Sequence, residues 1–533
     1  MSTPQSIINV CSGVRLDNRY EHSIYFPNRT SQESYFAEKV DMTFSAYSYL
    51  RKSWPLTVAA TMEQAKTWNY LYFQNGTGKT YYYFITNIEY KNDSAVELSL
   101  ELDVLQTYLF DFEMLDCFVE RQHTETDALG EHTLDEGLEL GELIDNGYEQ
   151  WESLRDLCIL VLASINPNYA DTEKPVQALG GKYDGVFSGL KVWAVNYGDW
   201  AAWSAKLDDL TAAGFVAGII SMGMYPKAAV KLGGENTWSD GVLCKVVDGC
   251  IFANATYTLS GRPDDLGGYT GIKNKKLLSY PFSFVYATNN CGGSAVYRYE
   301  RFDEDPTFTV KGCISPEAVI KMYPMGYNGF ASHWANYEQG LTLTGFPSCA
   351  WDADVYKLWL AQNQNQHQLT DTMSTLSMIG GAASAVASIA TGNFMGALGG
   401  AGGVIGGASQ IASLMAQKRD MAIQPPQSRG SFSGNVNIVA GYNTFSFYHK
   451  SVDAYHAKII DDYFTMYGYK LNSVQKPNLC ARKAFTYIKT VGCHIQGNMC
   501  TEDIVKVESI FDKGITFWRN GDRIADYSQD NTV

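Results

Sequence analysis

The 533-residue sequence predicts a mainly β protein interrupted by an inserted α+β domain. Three observations carry that expectation. Tyr is the commonest aromatic, at 35 residues against 25 Phe and 11 Trp, which suits strands and half-wetted faces. The stretch YLYFQNGTGKTYYYFITNIEY sets two aromatic runs around Asn75-Gly76, a strong hairpin signal. AVELSLELDVL then alternates, with Val96, Leu98, Leu100 and Leu102 on one face.

Taken in order, residues 1–150 read as β. Between 151 and 270 the texture changes: LCILVLAS is a continuous apolar strand, DWAAWSAKLDDLTAAG predicts a helix opened by Asp199 and closed by Gly214, and FVAGIISMGMYP returns to strand. Strand signals resume over 271–345, where KLLSYPFSFVYATNNCGGSAVYRYERF holds two runs about an Asn/Gly-rich turn. A polar helix is expected over 346–371, leading into an uncharged segment at 372–417. QPPQSRGSFSGN is a turn-rich exit, and 418–533 carries a helix over KSVDAYHAKIIDDYFTMYG before β-like pieces up to GITFWRNGDRIADYS.

The formal net charge of −16 argues against a surface built to grip nucleic acid, which needs clustered Lys and Arg to displace counterions. It suits solubility, or a surface to which DNA should not adhere. MSTPQSIINVCSGVRLDN has no basic stretch ahead of an apolar one, so no signal peptide is expected. Eleven cysteines without a CxxC pair read as reduced thiols made in a cytoplasm. Cys480, Cys493, His494 and Cys500 come nearest to a metal cluster, but their spacing fits no common zinc motif, and no metal or cofactor is expected.

Catalytic motifs fare no better. GTGKT at Gly76–Thr80 resembles the end of a phosphate-binding loop, yet Phe73 stands where the leading Gly should be and a strand-like run follows where a helix is required. GAGGVIG at Gly400–Gly406 follows no strand, and its glycines are too many to be informative. A glycoside hydrolase would use two acids, for which Asp135 with Glu136, or Asp111 with Glu113, are available. Adjacent acids on a strand point to opposite faces, and nothing in the sequence marks any pair as buried. The chain is read as a non-enzyme.

The uncharged segment is the most unusual feature. From Thr372 to Gln417, 46 residues contain no ionisable side chain, and Gly, Ala and Ser contribute 10, 10 and 6 of them. Ten glycines cost on the order of 10 kcal/mol of helix propensity in water. In a bilayer, where peptide groups must bond internally, helix becomes nearly obligatory, and the length suffices for two spans of about 20 residues. Large apolar residues are in the minority: Met378, Ile379, Val386, Ile389, Phe394, Met395, Leu398, Val404, Ile405, Ile411, Leu414 and Met415 are spread along it. Gly380, Ser384, Ser388, Gly392, Gly396 and Gly400 recur at every fourth position, a spacing that lets membrane helices approach closely. The segment is therefore expected to be membrane-active when several copies are delivered together, a buried or flexible linker being the alternative. His367 and Asp371, four residues apart ahead of it, are expected to form at most a weak surface pair.

Several blocks give the chain a family resemblance. ELDVLQTYLFDF contains Asp103, Val104, Leu105, Gln106 and Thr107; FVERQH follows, then TLDEGLELGE with Asp135, Glu136 and Gly137. KLLSYPF starts at Lys276, IQPPQ contains Pro425 and Pro426, and YGYKLNSVQKPNLCARKAFTYIKTVGCHI contains Lys476, Pro477 and Asn478 and leads on to IFDKGITFW. In this order the chain resembles the distal tail-knob proteins of the small, protein-primed, short-tailed phages of Gram-positive hosts.

That resemblance implies β-barrel tube-forming domains assembled as a homo-hexameric ring at the distal tip of the virion tail. Residues 1–150 would be an N-terminal tube domain, 271–345 a second tube portion, and 418–533 would complete the tube. The ring would be a conduit for genome ejection, and 372–417 a hydrophobic loop that plugs it and later penetrates the host cytoplasmic membrane. Implied partners are the lower collar or proximal tail tube and transiting double-stranded DNA bound without sequence specificity. The rival readings are a tail-associated cell-wall hydrolase and a receptor-binding tail tip protein.

Overall fold

The computed structural model describes residues 6–47, 55–75, 78–168, 181–183, 186–188, 191–213, 218–230, 232, 245–247, 255–313, 319–329, 336, 338–351, 430–433 and 443–533. The described chain is mainly β with a few helices, and it divides into two compact units. The first gathers Met1–Leu143, Asp265–Phe282 and Val452–Val533; the second gathers Ile144–Asp264 and Ser283–Ser451. The second unit thus takes in most of the expected inserted block and continues well beyond it.

In the first unit a six-stranded antiparallel sheet runs in the order Val40–Tyr47, Ser6–Ser12, Trp68–Gln74, Thr80–Asn92, Ala95–Leu102, Leu56–Val58. The expected aromatic hairpin is its centre. Asn75 N donates to Lys79 O at 2.9 Å and Gly78, with φ +83°, donates to Asn75 O, closing the turn. On the buried face the ring of Phe36 lies parallel to Tyr70 with centroids 5.1 Å apart. Val96, Leu98 and Leu102 alternate into the core as their spacing predicts.

A second sheet of the same unit has the order His22–Ile24, Ile515–Trp518, Phe485–Val491, Cys117–Gln122, Tyr469–Gln475. It joins N-terminal and C-terminal strands, the first pair running parallel. Helices Arg29–Glu38, Ala454–Tyr467 and Thr501–Lys513 belong to this unit. The helix expected over KSVDAYHAKIIDDYFTMYG begins later than predicted. Strand Ser446–Val452 runs through the Lys450–Val452 portion, and Asp453 then caps the helix by accepting from Tyr455 N and His456 N at 2.9 and 3.2 Å. Gly468 ends it at φ +66°, where a Cβ would come within 2.5 Å of the Gln122 backbone.

The second unit contains a six-stranded antiparallel sheet: Lys245–Val247, Lys191–Asn196, Leu157–Ala163, Ile219–Pro226, Ser348–Trp351, Gly430–Ser433. The LCILVLAS run is its central strand, buried on both faces as a continuous apolar stretch requires. Helix Trp200–Ala212 presents Trp203 and Leu210 to Ile159, Val161, Trp193 and Val195. Ser348–Trp351, expected at the head of a helix over 346–371, is instead a strand, because its backbone is paired on both sides. The unit also holds two four-stranded sheets, Leu143–Gln150, Ser446–Val452, Ser283–Thr288, Ser294–Tyr297, and Ala255–Thr258, Phe302–Cys313, Val319–Tyr327, Leu341–Leu343, and the two-stranded pair Gly181–Tyr183 with Val186–Ser188.

Candidate functional site

The first motif block folds into a buried polar node. After strand Ala95–Leu102 the chain turns at once into the five-residue helix Val104–Tyr108, and Asp103 is its cap. One Asp103 carboxylate oxygen accepts from Leu105 N and Gln106 N, both at 3.1 Å, and the other accepts from the Tyr70 hydroxyl at 2.8 Å. Burial pushes the Asp103 carboxyl up to about 6, against the opposing pull of the Gln106 amide, the Tyr70 hydroxyl and the Leu105 amide. Gln106 donates from Nε2 to Ser23 Oγ at 3.0 Å and Ile24 O at 2.9 Å, while its Oε1 accepts from Gln32 Nε2. Thr107 Oγ1 accepts from Tyr82 N. Helix Arg29–Glu38, strand His22–Ile24 and the hairpin are thereby pinned to three side chains, Asp103, Gln106 and Thr107, within five consecutive residues.

The second block forms a charged node. Asp135 accepts from Gly137 N at 3.0 Å, and Gly137 takes φ +67°, making a tight turn that turns Glu136 inward. The Glu136 side chain is fully buried between Arg121 and Lys276, and it also accepts from Lys470 N at 3.1 Å. Arg121 Nη1 continues to Gly468 O and Lys276 Nζ to Leu134 O, each at 2.8 Å. Burial draws the Lys276 ammonium below its ordinary range, and the bond to Glu136 opposes that. Close by in sequence, buried Asp461 accepts from Tyr269 OH, Lys273 N, Asn274 N and Asn274 Nδ2 at 2.9–3.0 Å, fastening the short Asp265–Phe282 segment to helix Ala454–Tyr467.

A cavity of about 260 Å³ lies in this unit, walled by His123, Lys273, Asn274, Thr465 and residues 528–532. His123 Nδ1 accepts from Tyr487 N at 2.8 Å, so Nε2 carries the proton and donates to Thr465 O at 3.0 Å. Burial, reinforced by the Arg482 cation, lowers His123 to about 3, so the ring is neutral. Asn531 sews the C-terminal residues down, accepting from Ala484 N and Phe485 N and donating to Phe485 O.

The second unit has its own polar node. Glu149 accepts from His449 Nε2 at 3.0 Å, Ser260 N at 2.9 Å and the Tyr257 hydroxyl at 3.1 Å, while His449 Nδ1 takes the hydroxyl of buried Tyr299. Burial works to raise Glu149, and the bonds from Ser260, His449 and Tyr257 overcome it, leaving the carboxyl below its ordinary range.

These nodes hold backbone and cations in place. Glu136 is enclosed by two cations while Asp135 caps a turn, so the pair has no geometry for concerted acid and base work. Asp111 pairs with Arg29 and Lys79, and Glu113 with Lys476 on the surface. Pro477 is buried, and Asn478 accepts from Cys480 N at 2.9 Å. Lys79 of the GTGKT stretch lies 3.9 Å from the Tyr108 ring centroid, ahead of strand Thr80–Asn92. Among the described residues no three His, Cys, Asp or Glu side chains are placed to hold a metal ion, and no helix is long and apolar enough to cross a membrane.

Pro425, Pro426, His367, Asp371 and every loop residue from Met378 to Met415 lie outside the described residues. Sequence reasoning missed the partners that give the motifs their meaning: Gln32, Tyr70, Arg121, Asp461 and the Glu149–His449–Tyr299 chain. Arg121 and Lys276 did stand inside recognised blocks. Their pairing with Glu136 bridges 15 and 140 positions, which no local pattern encodes.

Comparison with known proteins places these blocks. Residues 252–532 match the family described as the C-terminal domain of the tail knob protein gp9 of Bacillus phage phi29, and residues 4–113 match the caudoviral major tail protein N-terminus. The tail knob proteins gp9 of Bacillus phages phi29 and B103 are 25% and 26% identical, over 99% of this chain and 98% of theirs. The bacteriophage C1 tail knob protein, gp12, shares the fold with a TM-score of 0.63 at 15% identity, across 98% of both chains.

Proposed function

The chain belongs to the tail knob protein family represented by gp9 of Bacillus phage phi29, and from that premise we propose that it forms the distal conduit of a short phage tail. In this reading six copies close into a ring, the wall is built from the β portions of the chain, and double-stranded DNA passes through without sequence-specific contacts. The lower collar or proximal tail tube adjoins the ring. Closing a ring also removes exposed sheet edges, which otherwise invite aggregation. A chain carrying −16 can readily present DNA with a wall that does not retain it.

One observation carries the membrane part of this reading: Thr372–Gln417 contains no charge in a chain whose residues are 18% charged. The segment plugs the tube before ejection and enters the host cytoplasmic membrane afterwards. Missing charges remove the largest insertion penalty, about 2.5–3.5 kcal/mol for each central Lys, Arg or Asp. Its glycines keep a single copy from inserting firmly, so copies gathered at one tip supply what one lacks.

The experiment replaces Thr372–Gln417 with a short Gly/Ser linker and follows ring formation by imaging and vesicle leakage by dye release. Rings that persist while leakage and infection vanish support the proposal, and Val386→Asp with Leu398→Asp should act the same way. Rings that still permeabilise vesicles would locate the pore elsewhere in the chain. Loss of the ring on deletion would make the segment part of the structural core. A wall hydrolase, the rival reading, would instead clear host wall in a zymogram.

A further inference from the structure

In the second unit, the sheet Leu143–Gln150, Ser446–Val452, Ser283–Thr288, Ser294–Tyr297 has two unlike faces. Alternation along its strands sends Val285, Ala287, Tyr297 and Phe447 into the core. The opposite face carries a strip of tyrosines. Register sets Tyr286 opposite both Tyr448 and Val296. Tyr148, on the edge strand, extends the row: its ring lies 5.1 Å from that of Tyr448, and Tyr286 lies 6.2 Å from Tyr448. The planes are inclined by 51° and 52°, so neither pair is stacked face to face. Tyr148 and Val296 are 54% and 46% exposed, while Tyr448 and Tyr286 are half-buried. One row along, register aligns the hydroxyls of Ser446, Thr288 and Ser294, and Ser446 Oγ lies 3.3 Å from the Tyr148 hydroxyl. Among the described residues Lys450 is the one cation over a ring of the strip, 5.9 Å from the Tyr448 centroid, and Asp145 pairs with it at 2.5 Å.

We propose that this strip binds an uncharged glycan, with successive sugar rings laid across the strands along Tyr148, Tyr448 and Tyr286. A sugar ring has apolar C–H faces and a rim of hydroxyls. A half-exposed tyrosine is divided the same way, with an apolar ring and a polar tip. The rings take up the C–H faces, and Ser294 with the tyrosine hydroxyls meets the rim. Each tyrosine has only two side-chain torsions to immobilise, so ordering it costs little.

Charge and area exclude the other occupants. A nucleic acid or another polyanion is held by unpaired cations, and Lys450 is already neutralised by Asp145. A stable contact with a second copy buries about 800 Å² per partner. An aromatic side chain contributes about 150–250 Å² when wholly buried, and two of the three rings are already half-buried, so the strip falls short of that. A narrow chain of sugar rings needs no larger surface. None of this depends on the conduit reading.

The test uses the full-length chain with chitohexaose, maltohexaose and, as an anionic control, a hyaluronan hexasaccharide. Saturation-transfer NMR reads contact between protein and sugar. The expected result is transfer to the ring C–H protons of at least one uncharged sugar and none to hyaluronan. Raising the salt should leave the signal unchanged, because no charge takes part. Tyr148→Ala should weaken binding about threefold to tenfold, the worth of one aromatic contact, with an unchanged melting temperature. Tyr148→Phe keeps the ring and should bind as the wild type does. Silence of both uncharged sugars at millimolar concentration, equal transfer to hyaluronan, or wild-type binding by Tyr148→Ala would overturn the proposal. So would Tyr148→Cys chains that link into disulfide dimers, since the strip would then lie between copies. Ring formation and vesicle leakage are not read in this assay, so its outcome is separate from that of the conduit reading.

Discussion

The two units are held together by different means. The first collects three separate stretches of chain, and its interior carries charged and polar posts: Asp103, Glu136, Asp461 and neutral His123. The second draws most of its interior from aromatic and branched side chains such as Val161, Trp193, Trp203 and Phe308, and the polar residues it buries, among them Asn289, Lys321, Asn443, Thr444 and His449, include no carboxylate among the described residues. Every described block on which the family resemblance rests falls in the first unit. The difference has a physical basis. A buried charge needs one partner in one geometry, so its residues leave a legible signature. An apolar core asks mainly for volume and pattern, and many sequences supply those.

The largest test of that contrast is Glu136→Gln. It changes almost no volume but leaves Arg121 and Lys276 buried without an anion, and a loss of about 3–5 kcal/mol is expected from urea unfolding. A loss below 1 kcal/mol would show that the node is dispensable to the fold.

Next comes pH. Asp103 has its folded-state value raised to about 6, so its stabilising contribution is complete below its ordinary value of 3.8 and is lost as pH rises to about 6. A shift of that size corresponds to about 3 kcal/mol. His123 has the opposite sign: its contribution is present above 6.5 and is lost as pH falls towards 3. Subtracting the wild-type profile from that of Asp103→Asn cancels the His123 effect. The variant should gain on the wild type by about 3 kcal/mol between pH 4 and pH 7, the Asn carbonyl oxygen still accepting from both backbone amides while its amide nitrogen faces Tyr70, whose hydroxyl then accepts instead of donating. A flat difference would mean that Asp103 does not titrate in this range.

Ile159→Val, in the second unit, also removes little volume, yet it should cost only about 0.5–1.5 kcal/mol. Should its cost equal that of Glu136→Gln, the contrast between the units collapses. The smallest effect is expected at Lys476→Ala. Lys476 belongs to a motif block but pairs with Glu113 on the surface, with 53% and 71% of the side chains exposed. Stability should move by less than about 0.5 kcal/mol. If infection falls while stability holds, Lys476 serves a contact outside the fold.

Much of the fold is legible in the sequence because period and turn chemistry are local. The hairpin about Asn75, the alternating Ala95–Leu102 strand, the apolar Leu157–Ala163 strand and the Trp200–Ala212 helix all follow from neighbouring residues. So does the absence of charge between Thr372 and Gln417, a property of composition. Local reasoning failed where a strand and a helix meet without a gap, as at Val452 and Asp453, since β pairing across the sheet decided the boundary. It also misread Ser348–Trp351, whose strand character comes from partners far along the chain. The Tyr70 bond to Asp103 and the cations around Glu136 could not be read from their surroundings in sequence. Tertiary structure alone decided them, because a buried carboxylate acquires its chemistry from whichever distant donors the folded backbone brings within about 3 Å.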